Sequence, residues 1–171
     1  MKTRIGLFNI YLMALCCAIF LACETTGSKK KDLATLSLHR EVNPDGTGKS
    51  ESVLIHRADP QIFMNIEKEP FLLVADIIKA EIVDQMGSFA IRVQFNNRGV
   101  KMLEAVSLYN MGRHYAILCA FPEKRWLAAP LFSTPIRSGS ITFTPDASRE
   151  EADRIVNGIN AMAKKISKKS F

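Results

Sequence analysis

Only three histidines occur in the 171 residues, and of the four cysteines only Cys119 lies beyond position 23. No Cys-x-x-Cys or His-x-x-x-His spacing is present, which argues against a structural or catalytic metal. With so few thiols the domain cannot rest on a disulfide framework, so its stability must come from an apolar core. The Gly-x-Ser-x-Gly elbow, the phosphate-binding glycine loop and the dinucleotide fingerprint are also missing. His39, His56 and His114 each fall near an expected strand end, where a hydrogen-bonded or solvent-facing ring is the expectation. Asp76, Glu81 and Asp84 lie near one strand, but alternation puts Glu81 on the face opposite the other two, against paired acid and base work. Ser107, Ser133, Ser138 and Ser140 have no base at a spacing that marks a nucleophile. The expectation is no catalytic residue, no metal and no cofactor. The alternative is an envelope hydrolase or small-ligand domain whose site assembles in space around His114 and Asp84.

The formal charge is +6, and Lys2 and Arg4 supply two of those charges. What is left is mildly basic, too little for the dense cationic face of a nucleic-acid binder, so no nucleic acid is expected.

The informative feature that is present is the amino-terminal stretch. Lys2 and Arg4 precede an apolar run from Ile5 to Leu21, and Phe20-Leu21-Ala22-Cys23 reads as a lipobox, with Leu21 and Ala22 fitting well and Phe20 replacing the usual aliphatic residue. Residues 1–22 are therefore expected to be a signal peptide and Cys23 the lipidation site. The partner implied is membrane lipid through acylated Cys23, and the expected location is the bacterial cell envelope, facing the periplasm. An ordinary cleaved signal or an uncleaved anchor helix are the competing readings. Glu24 to Lys31 is polar with nothing to bury, and residues 23–32 read as a lipidated tether. Its Lys29-Lys30-Lys31 would lie near anionic head groups.

Leu33 to Val42 alternates apolar and polar residues, and Ser52 to Arg57 is a second strand candidate. Asn43-Pro44-Asp45-Gly46-Thr47-Gly48 is turn chemistry between them, which predicts a small β-hairpin region over 33–69. Gln61 to Ile66 is one more short strand. Ile77 to Gln85 and Phe89 to Phe95 predict a half-buried hairpin around Met86-Gly87-Ser88, with Phe89, Ile91, Val93 and Phe95 on one face. Asn96 or Asn97 opens a helix to about Asn110, on which Val100, Leu103, Val106 and Tyr109 recur at three-residue spacing, and Gly112 closes it. His114 to Phe121, Trp126 to Pro130 and Ser140 to Thr144 are the next strands. Ser148 with Glu151 forms a capping box before a last helix with an apolar stripe from Ala152 to Ile166. Lys164, Lys165, Lys168 and Lys169 oppose the negative end of its dipole. The fold class is α+β: a mainly antiparallel sheet with two helices packed on one face, preceded by the small hairpin region. Cys119, inside the apolar run Tyr115 to Phe121, is expected to be a buried hydrophobe and not a nucleophile.

The block 70–171 resembles the head subdomain of the first periplasmic domain of SecD, the membrane protein that assists protein export. The resemblance is carried by Glu69-Pro70 followed by Asp76-Ile77 and Ala80, by the hairpin around Gly87 ending in Phe95, and by a helix opening near Gly99. Ala116-Ile117-Leu118, Ala129-Pro130, Ile136 with Gly139, Ile141 with Phe143-Thr144, and Ala152 continue the pattern. The chain departs from it at the turn Cys119 to Lys124 and in having no second membrane-spanning run. The resemblance implies a head without catalytic residues that contacts an exported chain. Without intramembrane ionisable residues, proton-driven motion is not expected to accompany it.

A binding surface is suggested by Lys124, Arg125 and Trp126, since Arg and Trp are enriched at interface hot spots. The exposed edge of Ser140 to Thr144 is a second candidate, because an unpaired strand edge can take up an extended peptide. The expected partner is a protein segment, an exported polypeptide or another envelope protein.

Overall fold

Alternation sets the first strand: in β1 (Thr35–Arg40), Leu36 and Leu38 are fully buried while Thr35 and Ser37 are half-buried. The computed structural model describes residues 33–44, 46–55 and 61–169, so the expectations for Cys23, the tether lysines and His56 lie outside the described residues. The chain from Lys31 onward forms one compact unit. Its strands continue with β2 (Ser50–Ile55), β3 (Ile62–Glu67), the two-residue β4 (Leu72–Leu73), β5 (Ile77–Gln85), β6 (Ser88–Phe95), β7 (Tyr115–Ala120), β8 (Lys124–Ala128) and β9 (Ser140–Phe143). Its helices are α1 (Asn97–Tyr109) and α2 (Arg149–Ser167).

The strands form three antiparallel sheets, ordered β4-β1-β7-β8, β2-β3 and β5-β6-β9. Among the described residues the fold is α+β with two α-helices, as expected, but the early pairing differs from the sequence reading. β1 does not pair with β2; it pairs with β7, Leu36 opposite Cys119 and Leu38 opposite Ile117. The hairpin is instead β2-β3, with Val53 opposite Met64 and Ile55 opposite Ile62. The physical reason is apolar content. β1 has two large side chains that β7 can bury, whereas β2 opens with polar Ser50-Glu51-Ser52 and buries fully only Ile55, in the smaller cluster. The expected boundary between 33–69 and 70–171 is consequently crossed by a continuous sheet.

One core joins β1, β4, the third sheet and both helices around Leu36, Ile91, Leu103, Ile117, Phe132 and Ile155. A second, smaller cluster of Ile55, Met64, Ile66 and Ala116 lies between the hairpin and the back of the four-stranded sheet, with Trp126 packed against it. β7 is therefore covered on both faces, which explains its nearly unbroken apolar sequence.

Asn96 caps α1 by accepting from Gly99 N–H at 2.9 Å, and Ser148 caps α2 by accepting from Glu151 N–H at 3.2 Å. On α1 the buried stripe stops at Val106; Tyr109 is 84% exposed. It lies in the last turn, where no element covers its face, and buried Ser107 points inward instead, accepting from Ile136 N–H at 2.9 Å. Two of the residues carrying the resemblance are packing constraints. A Cβ on Gly99 would come within 2.8 Å of the Phe95 Cβ, and one on Gly139, at φ +69°, within 2.7 Å of a Val100 methyl.

Candidate functional site

Lys124, Arg125 and Trp126 are consecutive on β8, so the pleat sends them to alternate faces. Trp126 turns toward the hairpin cluster and meets the His39 ring edge-on at 5.3 Å. Arg125 turns the other way, with Nη2 2.7 Å from Glu151 Oε1 of α2. That contact is off the hydrogen-bonding angle, and Arg125 Nε is buried without a hydrogen bond. Lys124 alone of the three is exposed. The expected patch is thus divided: Trp126 holds the hairpin, Arg125 holds a helix, and the three share no common surface.

His39 is 5% exposed. Its Nδ1 lies 2.9 Å from the Glu67 carbonyl oxygen, which fixes the proton there, and its Nε2 lies 3.0 Å from Ser37 Oγ. Burial holds its pKa below the ordinary value, against the pull of Glu67 and Glu51 and with a further push from Lys124. Both ring nitrogens are engaged and Trp126 covers an edge, so the Ser37–His39 contact is interior packing. His114 and Asp84 are not brought together. His114 donates its backbone N–H to Glu41 at 2.7 Å and bridges to Leu131, whereas Asp84 pairs with Arg149 on the three-stranded sheet. Asp76, 2% exposed, is held by Arg98 at 2.5 Å and by Leu73 N–H at 3.1 Å. It braces the turn into β5. Among the described residues no three His, Cys, Asp or Glu side chains converge as a metal site. The Cys119 thiol is fully buried, and burial pushes its pKa up to about 12.

The feature that sequence reasoning missed is a groove of about 820 Å³ where the last turns of α2 pass the start of β5. Two local irregularities make it. A β-bulge between Ile77 and Lys79 leaves Ile78 outside the ladder and 64% exposed. Two residues on, Asn160 fixes the helix to the strand: Ala80 N–H donates to Oδ1 and Nδ2 donates to Ala80 O, both at 2.8 Å. Asn160, Ala163, Lys164 and Ser167 recur at helical spacing and face the groove, whose floor is Ile77, Ile78, Ala163 and Ile166. The Asn160 clamp uses both outward backbone groups of Ala80, so a peptide cannot add to β5 as a continuous strand there. A guest must be held by side chains. β9 is an outer strand of the same sheet, as expected, and β5 is the other. The signal that could have pointed to the groove is the polar Asn160 amid Val156, Ile159 and Ala163.

Among the described residues no helix is long and apolar enough to cross a membrane. No protein-family model matches the chain, and no curated protein matches it by sequence. Solved structures do. A structure of SecDF, described as a membrane component that enhances protein export, superposes with a TM-score of 0.56 at 20% identity over 77% of this chain. This chain spans 64% of that one. A super-membrane-facing form of SecDF gives a TM-score of 0.49 at 16% identity, covering 93% of this chain and 34% of that one. SecDF from Thermus thermophilus, described as translocon-associated, gives 0.42 at 15%, covering 94% and 34%. The first of these establishes the fold alone, and it is the SecD-like fold that the residues resemble.

Proposed function

We propose that the chain is a non-enzymatic lipoprotein of the bacterial cell envelope, held by acylated Cys23, whose SecD-like domain binds segments of exported or envelope polypeptides. The observation that carries this reading is the apolar groove between β5 and α2, open on one side and floored by Ile77, Ile78, Ala163 and Ile166. Ile78 is the anchor. Ile78, 64% exposed on the bulge, contributes little to the core and is free to meet a guest in the groove. The likeness to SecDF supports a link to protein export, and the lipobox at Phe20 to Cys23 supports attachment to the membrane.

The reading is tested by binding of a fluorescent apolar peptide to the full chain, followed by anisotropy. Ile78→Ser weakens binding roughly tenfold while the urea midpoint stays the same. Unchanged binding, or no binding by either protein, contradicts it. Attachment is tested separately by metabolic palmitate labelling, which Cys23→Ser abolishes.

A further inference from the structure

The charges around the groove are one-sided. α2 carries Glu150 and Glu151 in its first turn and Lys164 and Lys165 in its last, with Lys168 and Lys169 just beyond. At the acidic end Glu151 meets Arg125, and at the basic end Lys164 lines the groove. Across the groove stands Lys79, with Asn96 also in its lining.

The carboxylates in this region are already committed. Glu81 takes Lys79 at 2.6 Å and Arg92 at 3.6 Å, and Asp76 takes Arg98 at 2.5 Å. Lys101, Lys164, Lys165, Lys168 and Lys169 form no ion pair among the described residues. An apolar floor is thus bordered by Lys164, a cation without an ion pair among the described residues, in a concave site where low-dielectric walls strengthen its field. Of the lysines that oppose the α2 dipole, Lys164 lines the groove, and Lys168 follows it one helical turn on.

We infer that the groove selects apolar polypeptide segments flanked by carboxylates, a substrate class for the binding proposed above and dependent on it. The concave shape favours a peptide over a bilayer, because a membrane surface is met by a convex apolar face and not by a recess. Asn160 closes the strand edge, so the backbone of the guest is not read. Selection falls to the Ile78 floor for apolar side chains and to Lys164, Lys168 and their neighbours for acidic ones.

The test measures anisotropy of three short fluorescein-labelled peptides with the same leucine-alanine centre, flanked by glutamate, serine or lysine. The full chain is held in nanodiscs of phosphatidylcholine. The glutamate-flanked peptide binds roughly tenfold more tightly than the lysine-flanked one, and added salt narrows the gap. K164Q together with K168Q removes the preference for glutamate over lysine flanks, and K49Q on the hairpin keeps it. Equal affinities, or a preference for the lysine-flanked peptide, overturn the acidic selection while the binding of the serine-flanked peptide preserves the proposed function. Failure of all three to bind overturns both. If phosphatidylglycerol in the nanodisc abolishes the preference, the lysines serve head groups and the inference is overturned.

Discussion

Asn160 and Ala80 are joined by two hydrogen bonds of 2.8 Å, in which the side-chain amide imitates the backbone of a neighbouring strand. One helical residue thereby closes the outer edge of β5 and fixes the width of the groove beside it. Asn160→Leu leaves the Ala80 N–H and C=O without partners, at a cost of about 1–3 kcal/mol. The urea midpoint should fall with an unchanged slope, and the Ala80 amide should exchange faster with deuterium. An unaltered exchange rate would mean that the clamp does not form in solution.

Trp126 was expected from the sequence to lie on a binding surface. The structure places it against the hairpin cluster and His39. Trp126→Ala is expected to destabilise the domain by about 2–4 kcal/mol, and the fluorescence of the native tryptophan to be blue-shifted. A solvent-like emission with a neutral substitution would restore the original expectation.

His39 gives the fold a pH dependence of definite sign. Its folded pKa is held below the ordinary 6.5 by burial, so the unfolded chain binds the proton more readily. Stability from this group is complete above 6.5 and declines as pH falls from there through the lowered pKa. Glu67, held below the usual carboxylate range by hydrogen bonds from Arg40 at 2.5 and 2.9 Å, loses its contribution in a more acid window. Urea midpoints measured across these windows should show the first decline in the parent and a flatter profile in His39→Gln. Identical profiles would contradict the assignment.

Gly99 permits the close approach of α1 to β6. Gly99→Ala places a methyl 2.8 Å from the Phe95 Cβ, and because neither carbon can swing away the cost should be about 1–3 kcal/mol. Thermal unfolding checks it, and a neutral result would show that α1 shifts freely.

What the sequence made legible is what local periodicity encodes. β5 and β6, α1 with its Asn96 cap, and α2 with Ser148 all follow from alternation, helical spacing and capping within a few residues. Pairing between distant segments was not legible, because nothing local in Leu36 and Leu38 says that Cys119 and Ile117 will cover them. β4 is two residues long, too short for any period to show. Lys124, Arg125 and Trp126 read as one patch only until the pleat separates them, and the groove depends on a bulge at Ile78 that has no linear signature and on a clamp whose partner lies eighty positions away, so that the polar Asn160 in its apolar stripe marks only one end of it.

The central claim is that the groove at Ile78, and not the surface at Lys124, meets polypeptide. Site-specific photo-crosslinking in the native envelope decides between them, with a benzophenone side chain placed at position 78 in one protein and at position 124 in another. The account predicts protein adducts from position 78 that an apolar, glutamate-flanked peptide competes away, and few from position 124. Adducts from position 124 with none from position 78 would contradict it.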